Sequence, residues 1–123
     1  MNREKVTVEL GERSYEILIG AALLAETGPM LAERFPRTRF AIVTDENVAA
    51  LHLPQLSQSM QAASLDATSV IVPAGERSKT IGELERVVEA ILKTRLERSD
   101  MIIALGGGVI GDLAGFAAAI ARR

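Results

Sequence analysis

Three consecutive glycines, Gly106, Gly107 and Gly108, stand between two apolar stretches, and with Gly111 they form the part of this chain best suited to chemistry. Gly106, Gly108 and Gly111 satisfy G-x-G-x-x-G, the spacing at which bare backbone N–H groups and a helix N-terminus meet a pyrophosphate. The flanks suit that use. Met101 to Leu105 is a continuous apolar run, as in a strand covered on both faces. Leu113, Phe116, Ala117 and Ile120 recur at helical spacing and predict a helix over 111–122. Three other readings compete. The glycines could make a tight turn with no ligand. Asp112 could simply favour the positive end of its own helix. Residues 101–121 could also be a membrane span, but Asp112 near its centre would cost roughly 2.5–3.5 kcal/mol, and no companion segment is apolar enough.

The elements that must position this turn follow from the rest of the chain. Val6, Val8 and Leu10 alternate with polar residues, as do Tyr15, Ile17 and Ile19, so 4–19 reads as a β-hairpin turning at residues 11–14. Ala21 to Phe35 predicts a helix kinked or interrupted at Gly28-Pro29. Residues 39–44 and 68–72 are further buried-strand patterns, separated by a helix over 47–62 with Pro54 as its weak point. Ile81, Leu84, Val87, Val88, Ile91 and Leu92 share one helical face, with Thr80 and Glu83 spaced as a capping box. Repeated β-then-α units predict a parallel sheet flanked by helices.

Ligands of open parallel sheets gather at the carboxyl ends of the strands. Three loops are expected there: Asp45-Glu46-Asn47, Pro73 to Lys79, and Gly106 to Asp112. Glu76 could accept hydrogen bonds from ribose hydroxyls, and Lys79 could complement a pyrophosphate or a carboxylate. Two features depart from the usual dinucleotide pattern. The glycine fingerprint follows the last strand, not the first. Any acid that reads ribose hydroxyls must be Asp45 or Glu76, from an earlier strand.

Composition bounds the remaining possibilities. The chain has 123 residues, 48% hydrophobic and 24% charged, which suits a single α/β domain with an aliphatic, alanine-rich core. A net charge of −2 offers no basic footprint for nucleic acid. Without cysteine there is no disulfide, thiolate nucleophile or cysteine–zinc site. The charged N-terminus lacks the apolar stretch of a signal peptide, so a cytoplasmic protein, not associated with membranes, is expected.

The stretch from Gly106 to Ala119 resembles the signature of the 3-dehydroquinate synthase family, a group of sugar-phosphate cyclases. Thr44-Asp-Glu-Asn-Val48 and Pro73-Ala-Gly-Glu-Arg-Ser-Lys79 are similar to two further motifs of that family, in the same order. The resemblance implies an NAD-dependent lyase that also uses a divalent metal, zinc or cobalt. It would convert 3-deoxy-D-arabino-heptulosonate 7-phosphate to 3-dehydroquinate in the shikimate pathway, with loss of phosphate. A ring hydroxyl is transiently oxidised in such enzymes, which acidifies the neighbouring C–H for elimination. The hydride is then returned, and ring opening and an aldol closure follow. The fold implied is a Rossmann-like parallel sheet with an N-terminal β-hairpin, and the full enzyme is expected to be a homodimer. By motif, Asp45, Asn47, Gly75, Glu76 and Lys79 would line the cofactor site. Gly107, Gly108, Val109 and Asp112 would hold the pyrophosphate region, and Arg123 would reach the substrate phosphate.

The family's metal ligands, a glutamate and two histidines, come from a C-terminal helical domain that this sequence does not include. Its single histidine, His52, offers no metal site. The chain therefore reads as the N-terminal, NAD-binding part of a longer enzyme, inactive by itself. Related cyclases that make inosose or valiolone products share these motifs, and glycerol-dehydrogenase-like enzymes share the glycine turn. A non-catalytic nucleotide-binding module is a further alternative.

Overall fold

The computed structural model describes residues 3–9, 11, 15–20, 23–74, 80–93 and 100–121. Strands β1 (Arg3–Val8) and β2 (Tyr15–Gly20) pair antiparallel, from Arg3 opposite Gly20 to Val8 opposite Tyr15. This is the hairpin that the alternation predicts; its turn residues 12–14 lie outside the described residues. Helix α1 (Leu23–Arg34) follows, then β3 (Arg39–Asp45), α2 (Glu46–Ala62), β4 (Asp66–Val72), α3 (Ile81–Lys93), β5 (Met101–Leu105) and α4 (Gly108–Ala121).

The last three strands form a parallel sheet in the order β4-β3-β5. Strand β3 is central, and Phe40, Ala41, Ile42 and Val43 are all 0–1% exposed. Its side chains alternate between the two faces, as strand geometry requires. Ala41 and Val43 join Val70, Val72, Val87, Ile91, Ile110, Leu113 and Ala114 beneath α3 and α4. Phe40 and Ile42 join Leu56, Met60 and Leu65 on the other face, with Leu24, Leu31 and Phe35 of the α1 side packed alongside. The result is three layers, two helices on each side of the sheet.

Several expectations need correcting. The membrane-span reading of 101–121, argued against above, is not among them: these residues divide into a strand and a helix, and no described helix is long and apolar enough to cross a membrane. Strand β5 is only half-buried and Ala104 is exposed, because β5 has a neighbour on one edge only among the described residues. Leu92 is 57% exposed and does not share the buried stripe of Val87 and Ile91. Helix α4 starts at Gly108, three residues before the expected 111, so the turn proper is Gly106-Gly107.

Neither internal proline breaks its helix. Pro54 and Ala50, whose carbonyl would have accepted its N–H, are both exposed, on a side of α2 open to solvent. At Pro29 the repair comes from protein. The missing N–H would have bonded the Ala25 carbonyl, and the Ser59 hydroxyl of α2 donates to that oxygen instead, at 3.0 Å.

Candidate functional site

Because the three strands are parallel, the residues that follow them lie along one edge of the sheet. Asp45 is both the last residue of β3 and the N-cap of α2: its backbone is extended and its Oδ1 accepts from the Val48 N–H at 2.8 Å. The expected loop at 45–47 is therefore absent. A carboxylate is a strong cap, so the chain passes from strand to helix without intervening residues. Asn47 is exposed in the first turn of α2. Glu46 beside it accepts from the Ala74 N–H at 3.3 Å, which ties the end of β4 to the start of α2.

The second expected loop is described only at Pro73 and Ala74; Gly75, Glu76 and Lys79 lie outside the described residues. Helix α3 beyond it is capped by Thr80, whose Oγ1 accepts from the Glu83 N–H at 3.1 Å. The Glu83 carboxylate pairs with Arg86 at 3.0 Å, and Arg86 also donates to the Ile71 carbonyl at 2.6 Å.

At the end of β5 the fully buried Thr44 donates its hydroxyl to the Leu105 carbonyl, at 2.7 Å. The next residue, Gly106, has φ +151°, a conformation that other residues rarely adopt. A Cβ there would also stand 3.1 Å from Ile110 Cγ1. The Gly111 N–H donates to the Gly107 carbonyl at 3.0 Å, so Gly107 is the cap of α4. An α-helix leaves its first N–H groups without internal acceptors, and a glycine cap brings no side chain to serve them. A Cβ built on Gly107 or Gly108 would meet nothing within 4 Å, so the space over the turn is open. That combination fits a phosphate group. Val109 lies in the first turn of α4, Asp112 is exposed in the next, and Arg123 lies outside the described residues.

The sheet thus brings together Asp45, Asn47, Gly107, Gly108, the Val109 backbone and Asp112 along one edge. Sequence reasoning missed three contributors. Ile110, 2% exposed, anchors the turn from below, Glu46 ties the end of β4 to the junction of β3 and α2, and Thr44 ties β3 to β5. Thr44 had a signal: a hydroxyl closing the apolar run Phe40-Ala-Ile-Val43 needs a buried partner. The opposite edge carries a different clamp. Asp100, 6% exposed, accepts from the Arg39 N–H at 2.9 Å and pairs with its guanidinium at 3.1 Å. A groove of about 260 Å³ between Met60, Leu65 and Asp66 also lies at that opposite end, away from the glycine turn. Among the described residues, no three His, Asp or Glu side chains gather so as to hold a metal ion, and His52 is exposed.

A parallel sheet between helix layers, with strand ends leading straight into helices, defines a Rossmann-like α/β protein. The profile of a family described as 3-dehydroquinate synthase N-terminal matches residues 69–123. A 3-dehydroquinate synthase of Mesorhizobium japonicum is 52% identical over 122 residues, covering 98% of this chain and 32% of that protein. One of Brucella ovis is 55% identical over 118 residues, 96% of this chain and 31% of that protein. The chain is similar over nearly its whole length to these 3-dehydroquinate synthases, and it spans about a third of their length.

Solved structures agree on the fold. A 2-deoxy-scyllo-inosose synthase complexed with carbaglucose-6-phosphate, NAD+ and Co2+ superposes with a TM-score of 0.80 at 19% identity, covering 95% of this chain and 31% of that one. The 2-epi-5-epi-valiolone synthase of Streptomyces hygroscopicus, with NAD+ and Zn2+ bound, gives 0.73 at 29% identity, covering 92% and 31%.

Proposed function

We propose that this chain is the NAD-binding N-terminal domain of a 3-dehydroquinate synthase, a cytoplasmic homodimer whose metal ligands come from a further, C-terminal domain. The whole protein would eliminate phosphate from 3-deoxy-D-arabino-heptulosonate 7-phosphate and cyclise the product to 3-dehydroquinate. The observation that carries the reading is the glycine-capped start of α4, open above Gly107 and Gly108.

When bound, NAD supplies reversible hydride acceptance at the reacting hydroxyl carbon. The work of this domain is to hold the cofactor still. The N–H groups of Gly108 and Val109 would face the pyrophosphate, with the positive end of α4 behind them. The Asp45 carboxylate, one oxygen already fixed by the Val48 N–H, would present the other to ribose hydroxyls. Asn47 and Asp112 would complete the wall described here, and Gly75, Glu76 and Lys79 would complete it from the β4 side. Arg123 would reach the substrate phosphate. Among the described residues no three His, Asp or Glu side chains gather to hold a metal ion, so the metal ligands are assigned to the C-terminal domain.

Calorimetric titration of the complete polypeptide with NAD+, beside Gly108→Leu, tests the cofactor site. Binding that the variant loses is expected; binding that it keeps would remove the cofactor from this turn. Release of phosphate from the heptulosonate phosphate then tests the reaction. Release only from a hexose 6-phosphate would move the protein to the inosose branch of the cyclases.

A further inference from the structure

The backbone ladder between β3 and β5 ends at the pair Thr44 and Leu105. Beyond it both chains change course at once: Asp45 caps α2, and Gly106 turns at φ +151°. The last fastening between them is a side-chain bond, Thr44 Oγ1 to the Leu105 carbonyl, at 2.7 Å. Thr44 is 0% exposed, as are Ala41, Ile42 and Val43 before it, and it is the only hydroxyl in that buried run. Packing alone would be served as well by valine, which has nearly the same shape, so the hydroxyl is there for its hydrogen bond.

That bond sits one residue before Asp45 and two before Gly107, both assigned above to the cofactor. We infer that Thr44 is a positioning residue: by holding the Leu105 carbonyl, it sets the spacing between the Asp45 carboxylate and the glycine start of α4, and so the affinity for the dinucleotide. The inference rests on the NAD-binding reading given under Proposed function. Without the hydroxyl, the Leu105 carbonyl loses this bond beside the turn, and Gly106-Gly107 is held less firmly to the capped start of α2. A ligand that must touch both would have to order them itself, and its affinity falls accordingly.

The test is NAD+ titration of the complete polypeptide carrying this chain, with melting temperatures measured alongside. Thr44→Val and Thr44→Ala remove the hydroxyl with and without the valine methyl groups, so that one poorly folding variant does not decide the outcome. Each is expected to weaken NAD+ binding about tenfold, the equivalent of one lost buried hydrogen bond. Thr44→Ser keeps the hydroxyl and is expected to stay within about twofold of wild type. Asp100→Asn loosens the same strand pair at its far end, and it is expected to lower the melting temperature while leaving NAD+ affinity unchanged. Wild-type affinity in Thr44→Val or Thr44→Ala would overturn the inference alone. So would an Asp100→Asn variant that loses as much affinity as they do. A wild-type protein that binds no NAD+ would overturn the parent reading and this inference with it.

Discussion

The Ser59 hydroxyl accepts from the buried Gly28 N–H at 2.8 Å and donates one turn away to the Ala25 carbonyl that Pro29 leaves without its donor. One side chain of α2 therefore repairs the hydrogen bonding of α1. Ser59→Ala would take a hydroxyl partner from the buried Gly28 N–H and from the Ala25 carbonyl together. It is expected to cost about 1–3 kcal/mol, read as a lower denaturation midpoint at unchanged slope. A midpoint equal to wild type would mean that α1 tolerates Pro29 unaided.

Gly28 is where the two helices come closest. A Cβ on it would lie against the Ser59 backbone carbonyl, well inside contact distance, and 2.8 Å from the Ser59 Oγ. In an exposed helix, Gly to Ala gains about 1 kcal/mol. Here overpacking of about 1–3 kcal/mol or more opposes that gain. Gly28→Ala is expected to destabilise, and a thermal melt shifted upward would show that the helices can part without loss.

The glycines of the turn are expected to divide into two kinds. Gly108 faces open space, so Gly108→Leu should hold stability or raise it by up to ~1 kcal/mol through helix propensity, while NAD+ binding is lost. Gly106→Ala meets both a forbidden φ and Ile110, and should cost on the order of 1–3 kcal/mol. Paired melts and titrations of the two variants check this; equal melting temperatures would refute it.

Asp45 has a structural duty and a proposed ligand duty, and two substitutions separate them. Asp45→Ala removes the α2 cap and should cost ~1 kcal/mol. Asp45→Ser also caps well and should restore most of that stability. Both lack the second carboxylate oxygen, so both should weaken NAD+ binding by about tenfold, as for a charge-assisted hydrogen bond. Tight binding by Asp45→Ser would reduce Asp45 to a cap.

The parallel sheet was legible in the sequence because its strands are short apolar runs that alternate with amphipathic helices. β5 matched the Met101 to Leu105 run, and the hairpin followed from simple alternation. What escaped was tertiary compensation. Gly28-Pro29 reads locally as a break, and only Ser59, 31 residues beyond Gly28, makes it a helix interior. Residues 45–47 read as a loop because Asp and Asn favour loops, but the same chemistry caps a helix when a strand delivers the carboxylate to it. The glycine pattern gave the place of the site, while Ile110 beneath it and Thr44 beside it depended on a partner strand that spacing does not reveal.

The placement of β3 between a strand that follows it closely and one that arrives much later sets an order of events during synthesis. As the polypeptide emerges N-terminus first, β3 can pair with β4 and be covered by α1 and α2 while β5 is still unmade. The contact between Thr44 and Leu105 bridges 61 residues, and pairings of such separation form late. The edge that would grip a nucleotide is therefore expected to be finished last, and until Leu105 has been made the other side of β3 needs shielding from neighbouring nascent chains.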